Sequence, residues 1–135
     1  MSVEMNKEKW SESSKRSYAY SQSTETHYED FSYFCVKCKR HSVFTAKDQK
    51  IEHEENKRFI WHKKTLCFNC QFQIDVLRDK DEQFQKNWAM NKKILKSDRQ
   101  FLCDWLAILE DIPTYGKRSH RDLIATLRRL SYDCV

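Results

Sequence analysis

The chain has 135 residues, enough for one domain or two very small ones, and with a third of them charged and 39% hydrophobic its apolar material for a core is limited. One Gly and one Pro in the whole chain argue against a hairpin-rich all-β fold and against a Gly-rich phosphate loop, and favour long helices. The net charge of +5 is uneven: residues 1–34 carry four Lys/Arg against six Asp/Glu, residues 35–70 nine against four, and residues 71–135 twelve against ten.

No stretch approaches the ~20 consecutive apolar residues of a membrane-spanning helix. The opening MSVEMNKEKWSESSKRS lacks the apolar core of a secretory signal. The expectation is a cytoplasmic protein with reduced thiols and no membrane partner. Six Cys in that compartment point to metal or catalysis before disulfides.

Residues 1–30 are rich in Ser, Lys and Glu, with aromatics only at Trp10, Tyr18, Tyr20 and Tyr28. No apolar period is sustained, so composition predicts a disordered tail. Residues 31–72 form the second zone. Cys35-x-x-Cys38 and Cys67-x-x-Cys70 stand 28 residues apart. Two such pairs supply four thiolates, the number that a tetrahedral Zn²⁺ takes at a Zn–S distance of ~2.3 Å. In this reading each pair sits on a tight knuckle and the two knuckles face each other. No coordination position stays open, so the site is structural. The spacer has room for a strand at Ser42-Val43-Phe44, a helix from Ala46 to about His53, and a return strand at Phe59-Ile60-Trp61. Thr45 and Asp48 resemble a capping box for that helix.

These residues also resemble a family. FCVKCKRHSVFTAKDQ followed by LCFNCQ is similar to the bacterial probable zinc-ribbon domains, which read roughly CxxCGxxFxFTAxEQ, a short aromatic helix, then a Pro-x-x-Cys-x-x-Cys knuckle. The likeness covers about residues 33–73, with Phe44-Thr45-Ala46 and Gln49 as its most particular part. It implies a zinc-ribbon fold with Cys35, Cys38, Cys67 and Cys70 as ligands, and no reaction. Lys39 stands where the family has the knuckle Gly, and Lys64 near where it has Pro. Ile51-Glu52-His53 replaces the usual aromatic pair.

A redox CxxC needs a βαβ setting that neither pair has, and two disulfides need an oxidising compartment. Replacement of one Cys ligand by His41 or His62 stays open.

From Gln71 the pattern turns helical. Leu77, Phe84, Trp88 and Leu95 recur at near-heptad offsets. Ser97-Asp98 breaks the run and can cap a second helix carrying Phe101, Leu102, Trp105, Leu106, Leu109 and Ile112, which Pro113 and Gly116 end. Ser119 and Asp122 can start a third, with Leu123, Ile124, Leu127 and Leu130 on one side. The expected fold is a small α+β zinc ribbon followed over residues 73–135 by an all-α bundle of about three helices. Cys103, beside Leu102, reads as a small buried hydrophobe; Cys134 has no partner pair nearby.

Lys37, Lys39, Arg40, Lys63 and Lys64 flank the knuckles. Zn²⁺ with four thiolates carries a net −2, so part of this basic excess compensates the site. The remainder can meet a polyanion. Arg58, Trp61, Lys63 and Lys64 mix cations with aromatics, the mixture that holds phosphates while stacking bases. Arg121 and Arg128 repeat one face of the third helix, beside Arg118 and Arg129. The sequence therefore points to a zinc protein that contacts nucleic acid through these six residues. The alternative is an adaptor in which the zinc ribbon is a platform for a larger protein partner. Dispersed His residues and a closed metal shell give catalysis and a small-molecule substrate no support.

Overall fold

The computed structural model describes residues 1–131. They are mixed α+β, with two separate two-stranded antiparallel sheets and six α-helices. Two compact units result. One comprises Met1–Cys35 with Lys39–Cys67, the other Val36–Cys38 with the chain from Phe68 onward. No helix among the described residues is long and apolar enough to cross a membrane.

In the first unit β1 (Ser2–Glu4) pairs antiparallel with β2 (His27–Glu29), setting Val3 opposite Tyr28. Helices α1 (Glu12–Lys15) and α2 (Tyr18–Ser21) lie between them, and Ser11 caps α1 by accepting the Ser14 N–H at 3.1 Å. The disordered tail expected for residues 1–30 is thus not observed. Trp10 and Tyr28 are buried with Ala46 and Ile60, and Val3, Met5, Ala19 and Tyr20 pack on that cluster. No element here is long enough to hold by itself. What fixes them is distant in sequence: the Ser14 hydroxyl accepts the Ile60 N–H at 2.9 Å, and the Glu54 carboxylate accepts the Asn6 N–H at 3.2 Å. The Trp10 indole donates to the Tyr28 hydroxyl at 2.8 Å, satisfying a polar handle that burial would otherwise penalise.

Strands β3 (Phe31–Phe34) and β4 (His41–Phe44) form the second antiparallel pair, with Phe31 opposite Phe44 and Phe34 opposite His41. Thr45 then caps α3 (Ala46–Lys50), accepting the Asp48 N–H at 3.1 Å, and a π-helical turn over Ile51–Glu55 continues it. The buried Gln49 amide donates to the Phe44 carbonyl at 2.9 Å and to the Glu29 carbonyl, tying α3 to the ends of both sheets. The return strand expected at Phe59-Ile60-Trp61 does not form; its central N–H goes to the Ser14 side chain instead of to a ladder. His53 is buried, stacked on Tyr28 at 5.9 Å between ring centroids, with Nδ1 3.3 Å from the Arg58 carbonyl. Burial holds its pKa below the ordinary value.

In the second unit, α4 (Phe68–Leu95) is the longest element and kinks at Asn91. The Asp98 carboxylate caps α5 (Arg99–Asp111) by accepting the Phe101 N–H at 3.1 Å. A 3₁₀ turn over Ile112–Tyr115 and left-handed Gly116 end it. Helix α6 (Arg121–Leu130) starts after His120; the Ser119/Asp122 box expected there makes no side-chain cap. The core is Leu102, Trp105, Leu106, Leu109, Ile124 and Leu127, with Phe84, Trp88, Phe101, Leu123 and Leu130 against it. Phe84 stacks on Trp105 at 6.0 Å, and the Trp105 indole donates to Asp81 at 2.8 Å. Cys103 is half-buried on α5, and Cys134 lies outside the described residues.

Candidate metal centre

The first cysteine pair occupies the turn between β3 and β4. The Cys35 N–H donates to the Arg40 carbonyl and the Lys39 N–H to the Cys35 carbonyl, each at 2.9 Å. The loop closes this tightly because Lys39 adopts the left-handed conformation, φ +66°. That conformation is the one a Gly tolerates without strain, so Lys39 adopts it at a steric cost.

The second pair is built differently from the facing knuckle that the spacing suggested. Cys67 immediately precedes α4 and Cys70 is its third residue. One helical turn, not a hairpin, presents these two sulfurs. Upstream, the Tyr33 hydroxyl donates to the Leu66 carbonyl at 2.8 Å, holding the approach to Cys67 against β3. Burial raises the Tyr33 pKa; the Ser42 hydrogen bond opposes this, and the nearby Cys67 and Cys35 sulfurs add to it.

All four Sγ atoms lie within 4.8 Å of one another, with Cys35, Cys67 and Cys70 buried and Cys38 exposed. The four are thiols, not disulfides. A tetrahedron with Zn–S bonds of ~2.3 Å has S–S edges of ~3.8 Å, so this donor set can close on one ion with only a small contraction. Cys35, Cys38, Cys67 and Cys70 therefore fit a metal. Neither His41 nor His62 belongs to the cluster, and His41 packs edge-on against Phe34 at 5.4 Å.

Spacing could not reveal what supports the first knuckle. Lys37 donates to the Thr114 hydroxyl at 2.7 Å, stands 3.8 Å from the Asp111 carboxylate and lies 4.5 Å from the centroid of Tyr115. Beside it Val36 meets Gly116 so closely that a Cβ there would sit 2.9 Å from Val36 Cγ2. The knuckle thus seats on the α5–α6 connection, 77 residues away along the chain. The sequence suggested only charge compensation for Lys37.

Of the residues expected to meet nucleic acid, Arg58, Trp61, Lys63 and Lys64 belong to the first unit and Arg121 and Arg128 to α6 in the second. Several are engaged within the protein. Arg58 pairs with Glu52 at 3.6 Å, while Lys63 and Lys64 lie 5.3 and 5.1 Å over the rings of Phe31 and Phe44. Arg128 Nε and Nη2 both reach Glu110 Oε1, at 3.0 and 2.9 Å. Arg121 is exposed. Trp61 is 56% exposed, edge-on to Phe59 at 5.8 Å, and with Lys63 it lines a cavity of about 610 Å³ that Trp10, Tyr28 and His53 also reach. No family model, curated protein or solved structure matches this chain.

Proposed function

We propose that this chain is a zinc-binding protein whose Cys35/Cys38/Cys67/Cys70 site is structural, and that its work is protein contact, not catalysis. The carrying observation is the four sulfurs within 4.8 Å of one another, three of them buried. Four thiolates complete the tetrahedral shell of Zn²⁺ and leave no place for a reacting water or substrate. The likeness to probable zinc-ribbon domains over residues 33–73 supports the metal, with the second ligand pair carried by a helix instead of a knuckle. The engagement of Lys37 and Arg128 with Asp111 and Glu110 favours protein over polyanion as the partner, because those cations already have carboxylate neighbours.

Elemental analysis of reduced protein purified without added metal tests the site. One zinc per chain is expected; no metal, or iron in its place, refutes the assignment.

A second reading has its own observation. Exposed Trp61 beside Lys63 along the cavity suits a stacked base with a phosphate nearby. Binding to single-stranded oligonucleotides would then fall linearly in log affinity with log salt, and replacing Lys63 and Lys64 with Ala would flatten the slope by ~1–2. Absence of binding at low salt removes this reading.

A further inference from the structure

Helix α4 exposes an unusual face. Phe68 is 86% exposed, Phe72 64%, Met90 81% and Ile94 74%, and Val76 is exposed with them. Phe68, Phe72 and Val76 follow one ridge of residues four apart. Met90 returns to the azimuth of Phe72 because the intervening length is close to five turns at ~3.6 residues per turn. Ile94 follows just past the kink at Asn91. The opposite face is already used: Ile74 is buried, and Phe84 and Trp88 pack on the core of their unit. Scattered exposed apolar residues are ordinary, but several large ones sharing one helix face mark a contact surface.

The charges along α4 say what covers it. Residues 68–82 hold four carboxylates and two cations, whereas residues 83–95 hold three Lys and no acid. A parallel mate of the same kind would set like against like. An antiparallel mate sets the acidic half of each helix on the basic half of the other.

We infer that α4 pairs antiparallel with α4 of a second copy of this chain, about a two-fold axis level with Asp81. One register then satisfies the part of the face before the kink at Asn91. Phe72 falls opposite Met90 of the second copy and Val76 opposite Lys86, while Phe68 lies toward the kinked end of the mate that carries Ile94. Lys86 is exposed and, among the described residues, its ion pair is with exposed Glu82 of its own helix at 3.2 Å, a surface contact it can exchange. It lays its alkyl stem along Val76 and its ammonium between Asp75 and Asp79, both exposed. Two-fold symmetry repeats every pairing, so the contact closes on a dimer instead of propagating. This names a partner for the protein-contact reading and uses no residue of the metal centre.

Sedimentation equilibrium of the full chain over a range of concentrations, with zinc content and helicity measured in parallel, tests it. The expected result is a monomer–dimer equilibrium whose dissociation constant rises at least ~10-fold in Phe72→Glu. Lys86→Glu, at an exposed position outside the core, weakens the dimer as well. Mixing the Lys86→Glu chain with an Asp75→Lys/Asp79→Lys chain yields a heterodimer tighter than either homodimer, an outcome that misfolding cannot produce. A zinc-loaded, helical wild-type chain that stays monomeric throughout overturns the pairing while leaving the structural-zinc reading standing. So does a dimer indifferent to both Phe72→Glu and Lys86→Glu. A metal-free chain that still dimerises through α4 supports the pairing and removes the zinc reading alone.

Discussion

Replacing Gly116 with Ala probes the seat of the first knuckle. Gly116 has φ +74°, where an L-residue costs ~1–2 kcal/mol. About 0.4–1 kcal/mol of that is offset because Ala restricts the unfolded chain. The new Cβ would also lie 2.9 Å from Val36 Cγ2, inside any normal contact. Val36 is β-branched and stiff, and turning it off its rotamer costs ~0.5–1.5 kcal/mol. The sum is a destabilisation of about 1–2 kcal/mol, read as a lower urea midpoint in zinc-saturated protein followed by helical circular dichroism. Combining the change with Val36→Ala should recover the steric share and leave the backbone share, so the double-mutant cycle is non-additive by ~0.5–1.5 kcal/mol. A Gly116→Ala midpoint equal to wild type, or an additive cycle, would refute the contact between the knuckle and the α5–α6 connection.

Lys39→Gly relieves the left-handed strain at φ +66° and should raise stability by ~0.5–1 kcal/mol in the same urea assay. Trp10→Phe removes the indole donor that Tyr28 accepts at 2.8 Å in a buried site, and with it the pyrrole half of the ring, so the unpaired hydroxyl and the cavity together should cost at least ~1–3 kcal/mol. His53, whose folded pKa burial depresses, contributes stability that is complete above its unfolded value of ~6.5 and is lost as pH falls through the folded value. His53→Phe should therefore lose less stability than wild type between pH 7.5 and pH 5.5; parallel slopes for the two proteins would argue against that role.

The parts legible in the sequence are those that short-range rules govern. Asp98 announces α5 because a carboxylate before an apolar period is a cap, and it is one here. Thr45 and Asp48 announce α3 for the same reason, and the spacing of four Cys announces their convergence. Ser119 and Asp122 misled because a capping pattern has alternatives: the helix begins at Arg121 without a side-chain cap. Phe59-Ile60-Trp61 has strand composition, but a strand needs a ladder, and Ser14 takes the Ile60 N–H first. The N-terminal segment carries no period because its order comes from Asn6 meeting Glu54 and Trp10 meeting Tyr28, contacts that no local pattern encodes.

The position of the second cysteine pair bears on how the longest helix starts. Starting a helix is its unfavourable step, with a nucleation constant of ~10⁻³, equivalent to ~4 kcal/mol, while each later residue adds a bond at little cost. Cys67 and Cys70 bracket the first turn of α4, and two bonds to one ion would hold that turn in helical register. Zinc at this site would act as a nucleator for the 28 residues that follow. The ion would thus secure the near end of the longest helix of the protein, while Phe84 and Trp88, packed on the core of their unit, secure its far half without it.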